Sequence, residues 1–367
     1  MSHRPHCAIL PPYLLERLAE EAASTEPEAA QAAAQTLAHE RTLRERREMR
    51  ATRWSGGRPP LPEAPPAPGT VLPAEPGPDR SVHDAQQGTR LPGVLARSEG
   101  DPPVADESVN EAHDGLGHTW RVLHQAFGRD SLDGEGLQLV ASVHYGRSYV
   151  NAFWDGVQMV FGDGDGRYIS SFTDSVDVIA HELGHGVLQY TAGLVYVGQP
   201  GALNESWSDV VGSMVRQWLR GETAEQADWL IGSELFTERV QGRALRSLIE
   251  PGTAYDDPVL GRDPQRAHMD DYAWLPHDAA NDNGGVHLNS GIPNRAFALT
   301  ATSLGGPSWE RAGQVWYDVV STPGAVPKDV DFAGFARATV RAAADRFGAG
   351  GEVETAVREA WAAVGVG

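Results

Sequence analysis

The chain has 367 residues, 41% of them hydrophobic, and a formal net charge of −20. That length supports two domains plus an extension around a sizeable core. No run nears the roughly 18–20 apolar residues that span a bilayer, and the negative charge argues against nucleic acid or an anionic membrane as partner. The single cysteine, Cys7, allows neither an intrachain disulfide nor a thiolate cluster, so metal-binding capacity lies with His, Asp and Glu.

The N-terminus has no signal-peptide pattern, because Pro11 and Pro12 break its apolar stretch after a few residues. Synthesis in the cytoplasm is expected, with a route of export that does not use a signal peptide left open. Residues 10–50 read as helical. The Pro-rich stretch 58–79 suits neither a helix nor a central strand and reads as an extended linker. The spacing of Val109, Leu116, Trp120, Leu123 and Phe127 predicts a helix over 106–127, and period-two alternation predicts a strand over 137–145. Aromatic residues and glycines over 151–168 suggest a hairpin or edge strand. A helix is expected from Ser175, with Val176, Ile179, Ala180, Leu183 and Val187 on one face, and another over 202–219. Further helices should contain Phe332, Phe335, Val340 and Phe347, then Val357, Trp361 and Val364. Strands early and helices late give an α+β class with two lobes.

The chemistry is concentrated in H-E-x-x-H at His181–His185. Residues four apart share a helix face, so both imidazoles can offer nitrogens to one zinc ion. Glu182 stands beside that position, where a general base for the attacking water belongs. Glu205 follows in N-E-S-W-S-D and completes a His₂Glu set that leaves a fourth position open. Asp209, four residues on, can accept the other ring N–H of a ligand histidine. His287, in N-D-N-G-G-V-H over 281–287, can reach an oxyanion with Asp282 holding its ring. Taken singly, Asp209 also reads as a surface carboxylate and His287 as a loop histidine.

Together these clusters resemble the thermolysin family over nearly all of 81–367. The resemblance rests on N-A-F-W at 151–154, G-D-G-D-G at 162–166, D-V-I-A-H-E-L-G-H at 177–185, Y-T-A-G-L-V-Y at 190–196, N-E-S-W-S-D, A-L-R-S at 244–247 and N-G-G-V-H-L-N-S-G-I-P-N. It implies a two-lobed zinc peptidase with the zinc helix between a β-rich lobe, 81–197, and a helical lobe, 198–367. It implies one catalytic Zn²⁺ on His181, His185 and Glu205, with Asn204 and Asp209 behind them. Glu182 would be base and then proton donor. Tyr196 and His287 would stabilise the oxyanion, with Asp282 orienting His287. Asn151, the backbone of Ala152, and Arg246 would hold a substrate strand. Phe172, Val178, Ile231, Leu235 and Leu245 would line the pocket after the cut and favour a bulky apolar residue there.

Two departures are informative. Family members often hold a calcium pair, but Arg216, Leu230 and Ser233 stand where carboxylates would be, beside Asp177 and Asp228. Loss of the double site is expected, with Arg216 paired to Asp228 or Asp177; Arg243 likewise replaces an acidic residue of a further calcium site. The opening element Pro11-Pro12-Tyr13-Leu14 is similar to the short propeptides of the protealysin-like branch. An inhibitory propeptide over 1–57, acting in cis, and a processed linker over 58–80 follow from that resemblance. A folding aid remains the alternative, and so does a Cys7 thiolate that reaches the metal, which the branch does not require. Protein or peptide substrates are expected. A silent binding protein on the same fold, or a protease governed by a dedicated protein inhibitor, are the competing readings.

Overall fold

The computed structural model describes residues 7–53 and 77–367, except the side chains of 44–53. The linker expected over 58–80 therefore falls almost wholly outside the described residues. The first element among the described residues is strand β1 (Cys7–Ala8), followed by helices α1 (Pro12–Glu21) and α2 (Pro27–Arg53). The single helical stretch expected over 10–50 is thus divided. Pro27 explains the break, since proline fits a first helical turn but not a helix interior.

Next come β2 (Arg80–Asp84), β3 (Val94–Ser98), α3 (Glu107–Phe127), β4 (Leu139–Val143), β5 (Ala152–Trp154) and β6 (Met159–Phe161). Asp106 caps α3 through a hydrogen bond to the Val109 N–H, and Gly128 ends it in a left-handed conformation. The six strands form one sheet in the order β1-β5-β6-β4-β2-β3. β5 and β6 make the expected antiparallel hairpin, while β4 runs parallel to β2 and β6. β5 is not an edge in this sheet, because β1 pairs with it antiparallel.

Helix α4 (Val176–Tyr190) leads into α5 (Gly198–Arg220), which begins four residues before the expected position. α4 packs on α5 and also touches β1, β5 and β6, so it lies where sheet and helices meet. Gly184 permits this approach: a Cβ there would meet Ser208 Cα at 2.8 Å. Two short ladders follow, β7 (Leu230–Ile231) with β8 (Arg246–Ser247), and β9 (Asp256–Asp257) with β10 (Gly261–Arg262). The rest is helical: α6 (Asp282–Asn289), α7 (Gly291–Leu304), α8 (Ala312–Ser321), α9 (Phe332–Phe347) and α10 (Glu352–Ala363). Trp207, Phe297, Trp316, Phe332 and Trp361 are fully buried among these helices. A main core joins the helices to one face of the sheet, and a smaller cluster of Ala8, Ala85, Tyr145, Tyr149, Phe153 and Val160 covers the other. Among the described residues no helix is long and apolar enough to cross a membrane.

Candidate active site

The four-residue spacing on α4 places His181 and His185 side by side, with their Nε2 atoms 3.1 Å apart. Each ring is fixed from behind by α5. His181 Nδ1 donates to Asp209 Oδ1 at 2.8 Å, and His185 Nδ1 donates to Asn204 Oδ1 at 2.7 Å. These bonds select the tautomers that aim both Nε2 lone pairs inward. The earlier histidine meets the later α5 residue, so the two helices run antiparallel across a turn in which Gly193 has a positive φ of 60°. Asp209 is itself held by Arg246 at 2.8 Å and by Asn294 Nδ2 at 2.8 Å.

Glu205 Oε2 lies 3.4 Å from His181 Nε2, and Oε1 lies 3.5 Å from His185 Nε2. Zinc bonds of about 2.0–2.1 Å at tetrahedral angles would hold such donors about 3.4 Å apart. Glu205 is 1% exposed, and its Oε2 makes no hydrogen bond. Two imidazoles and a buried carboxylate oxygen without a donor therefore suit a divalent cation. Tyr196 donates a short hydrogen bond to Glu205 Oε1. Glu182 receives the Trp154 N–H on Oε2 at 2.9 Å, while its Oε1 is buried without a hydrogen bond.

His287 is delivered by α6. Asp282, Asn283, Gly284 and Gly285 all have positive φ, and this left-handed turn folds the Asp282 carboxylate back over the helix. Asp282 accepts His287 Nδ1–H at 2.6 Å and the His287 backbone N–H at 2.9 Å. His287 Nε2 then faces the cleft, 3.4 Å from Glu205 Oε2.

The cleft is filled by residues 7–11 of the same chain. Cys7 pairs with Trp154 and Ala8 with Phe153. Ile9 N donates to the Ala152 carbonyl at 3.1 Å. Asn151 accepts from Leu10 N at 2.9 Å and donates to Leu10 O at 3.0 Å. Arg246 donates to the Ile9 carbonyl at 3.0 Å, and His287 Nε2 donates to the Ala8 carbonyl at 3.0 Å. Pro11 and Pro12 then open α1, with Leu14 buried and Tyr13 partly buried. Ile9 shares one buried cluster with Phe172, Val178, Ile231, Leu235 and Leu245. From α2, Thr36 accepts the Val150 N–H at 3.0 Å, and Glu40 accepts Asn151 Nδ2 at 2.5 Å.

Burial governs the electrostatics. It pushes the Glu182 carboxyl up to about 8 and the His185 ring down to about 4, which leaves that imidazole neutral and able to ligate. Burial also opposes protonation of His181, but the bond to Asp209 and the carboxylate charges prevail and raise it to about 9. Burial works against an ionised Glu205 too, yet His287, His185 and His181 hold it well below the carboxylate range. A cation binding here would displace the His181 Nε2 proton.

At the expected calcium position, Arg216 reaches Asp177 at 3.0 Å and Asp228 at 3.1 Å, so it joins both expected partners, with Glu234 at 3.4 Å. The structure thus gathers every residue expected at the metal, the general base, the oxyanion and the substrate strand. Asn294, Thr36 and Glu40 were missed, as was the strand register of Cys7 and Ala8 along β5. Each acts through a tertiary contact far along the chain and leaves no local pattern.

Models of the thermolysin metallopeptidase catalytic domain and of its alpha-helical domain match residues 83–189 and 192–366. An extracellular metalloprotease of Pectobacterium carotovorum subsp. carotovorum is 48% identical over all of this chain and 98% of its own. A thermolysin of Alicyclobacillus acidocaldarius is 36% identical over 78% of this chain, which spans half of that longer protein. The chain belongs to the thermolysin family of metallopeptidases and is a metalloendopeptidase. The precursor of protealysin from Serratia proteamaculans matches with a TM-score of 0.85 and 46% identity, over 98% of this chain and 100% of that one. Within the family, the chain stands with the protealysin-like branch.

Proposed function

We propose that the chain is a zinc endopeptidase precursor whose own N-terminal segment occupies the substrate cleft until it is removed. The observation that carries this reading is the meeting of His181, His185 and Glu205 beside residues 8–10, which bond to His287, Arg246 and Asn151. His181, His185 and Glu205 would hold one Zn²⁺, with Asn204 and Asp209 fixing the rings. Zinc there would lower the pKa of a bound water to about 7 and polarise the scissile carbonyl. Glu182 takes a proton from the attacking water on Oε1 and passes it to the departing amine. His287 Nε2, oriented by Asp282, donates to the oxyanion. Tyr196 joins it once a substrate carbonyl competes with Glu205 for its hydroxyl. Asn151, Ala152 and Arg246 align the substrate as they align Leu10 and Ile9.

In that register Ile9 stands just after the bond to be cut, and its apolar surroundings support a preference for a bulky apolar residue there. Arg216, in its carboxylate pairs, takes the place of the calcium double site. Autoprocessing between the segment and the body would release the cleft. The name of the Pectobacterium relative supports action outside the cell after synthesis inside it.

Purified full-length protein should carry one zinc per chain, shed its N-terminal segment on incubation, and then hydrolyse casein. The Glu182→Gln variant should keep its zinc and stay intact. Absence of zinc from the native chain would overturn this reading. A peptide library cut before acidic or basic residues would overturn the specificity.

A further inference from the structure

We propose that in the intact precursor Cys7 is the fourth ligand of the active-site metal, so that β1 closes the open corner with sulfur while it fills the cleft. This rests on the zinc reading above and adds to it a thiolate site and a reason for latency.

The placement follows from strand geometry. Side chains alternate along a strand, so Cys7 and Ile9 face one way and Ala8 the other. The packing agrees: Ala8 lies in the small cluster with Tyr145, Tyr149 and Phe153, while Ile9 lies in the main core. The Ile9 face is the one toward α4 and the pocket, and Cys7 shares it. Cys7 is 0% exposed, and its sulfur, a His185 ring nitrogen and a Glu205 carboxylate oxygen all lie within 4.8 Å of one another. Independently, Glu205 Oε2 is buried at the same spot without a hydrogen bond, as is Glu182 Oε1. A buried carboxylate oxygen left unmatched at Glu205 points to a missing cation, not to a merely packed thiol.

The chemistry agrees with the placement. Zinc takes thiolate sulfur readily, and sites closed by four protein ligands are structural, whereas catalytic ones keep a water position. On binding, the Cys7 S–H proton leaves to solvent and the thiolate displaces the water. A dication with one thiolate and one carboxylate is formally neutral, which suits a centre this deeply buried. The arrangement also accounts for an otherwise awkward fact. The Ala8–Ile9 peptide is bonded to His287 and Ala152, with Arg246 and Asn151 holding Ile9 and Leu10 just after it as a substrate would be held, yet with sulfur on the metal no activated water is present to cut it.

The test uses the full-length Glu182→Gln chain, which does not process itself, loaded with cobalt(II) in place of zinc. Cys7 ligation should give an intense sulfur-to-cobalt charge-transfer band in the near ultraviolet. Cys7→Ser should bind one cobalt per chain without that band. On the zinc form of the same Glu182→Gln chain, Ellman's reagent should titrate the thiol about tenfold faster once a chelator removes the metal. This comparison needs no Cys7 variant, so a misfolded Cys7→Ser cannot shield the proposal. Cobalt bound without the band, or a thiol indifferent to the chelator, would overturn Cys7 ligation and leave the zinc reading standing. A chain that binds neither metal would overturn both.

Discussion

At Glu182 burial and function pull in opposite directions. Burial holds the carboxyl near 8, while a base must be ionised to accept a proton; His181 already lowers it, and a dication alongside would lower it further. Glu182→Gln keeps the bond from Trp154 N but loses the base, and hydrolysis by the processed enzyme should fall about 10²–10⁴-fold. Retained zinc in that variant separates lost chemistry from a lost site. Asp209→Asn addresses the ring behind it. The His181 Nδ1–H keeps an acceptor but loses the anionic one, and zinc affinity should weaken about 10–100-fold in chelator competition. An unchanged affinity would mean that the charge of Asp209 adds nothing to the bond with His181. The meeting of His181 and His185 was legible in the sequence because helical spacing translates directly into direction. Asn294 was not, because its bond to Asp209 joins α7 to α5 across the core.

Among the elements, α4 and α5 bring His181, His185 and Glu205 together, and Arg216 fastens the start of α4 to the far end of α5. Asp177 is fully buried, and burial raises its carboxyl even with Arg216 beside it. Removing Arg216 therefore leaves that carboxyl to protonate instead of remaining a bare charge. Arg216→Ala should cost about 3 kcal/mol, the low end for a broken buried pair, measured by urea unfolding in the Glu182→Gln background. Adding calcium should not shift the melting temperature of the native chain; a rise of several degrees would restore the double site. Between α3 and the sheet, His144 bonds Asp163 at 2.8 Å and Asp106 at 2.9 Å. The Asp163 bond leads in raising it to about 9, against partial burial. A raised histidine adds stability that is complete below its unfolded pKa of about 6.5 and fades as pH climbs through 9. The melting temperature should thus fall between pH 6.5 and 9.5, and His144→Gln should flatten that slope. Helix α4 and its apolar face were readable from periodicity. The left-handed entry to α6 was only hinted at by N-D-N-G-G, because positive φ at Asp282 and Asn283 depends on the bonds that Asp282 makes to His287.

At the scale of the whole molecule, residues 7–53 and the catalytic body are joined through one sheet and one core. α2 reinforces this through Thr36 and Glu40, which bond the Val150–Asn151 backbone and side chain. Losing a hydrogen bond to a charged group costs about 1.5–3 kcal/mol. Glu40→Ala should therefore loosen the segment, and its fragments should appear about tenfold sooner by mass spectrometry. An unaltered time course would show that the segment is held by β1 and its apolar anchors alone. The Pro-Pro-Tyr-Leu element announced a propeptide only through resemblance. That residues 7–8 supply a sixth strand was not visible, since two residues carry no period and their partner lies far along the chain.

The pairing of β1 with β5 would also decide what an enzyme freed of β1 can digest. With β1 gone, β5 becomes a bare rim of amide and carbonyl groups, and anything that replaces β1 must straighten for several residues to dock there. Polypeptides that are already loose, such as unfolded chains, tails and long surface loops, satisfy that demand. Helices and tightly woven domains do not, so the enzyme should nick folded proteins at their slack places and consume denatured ones throughout.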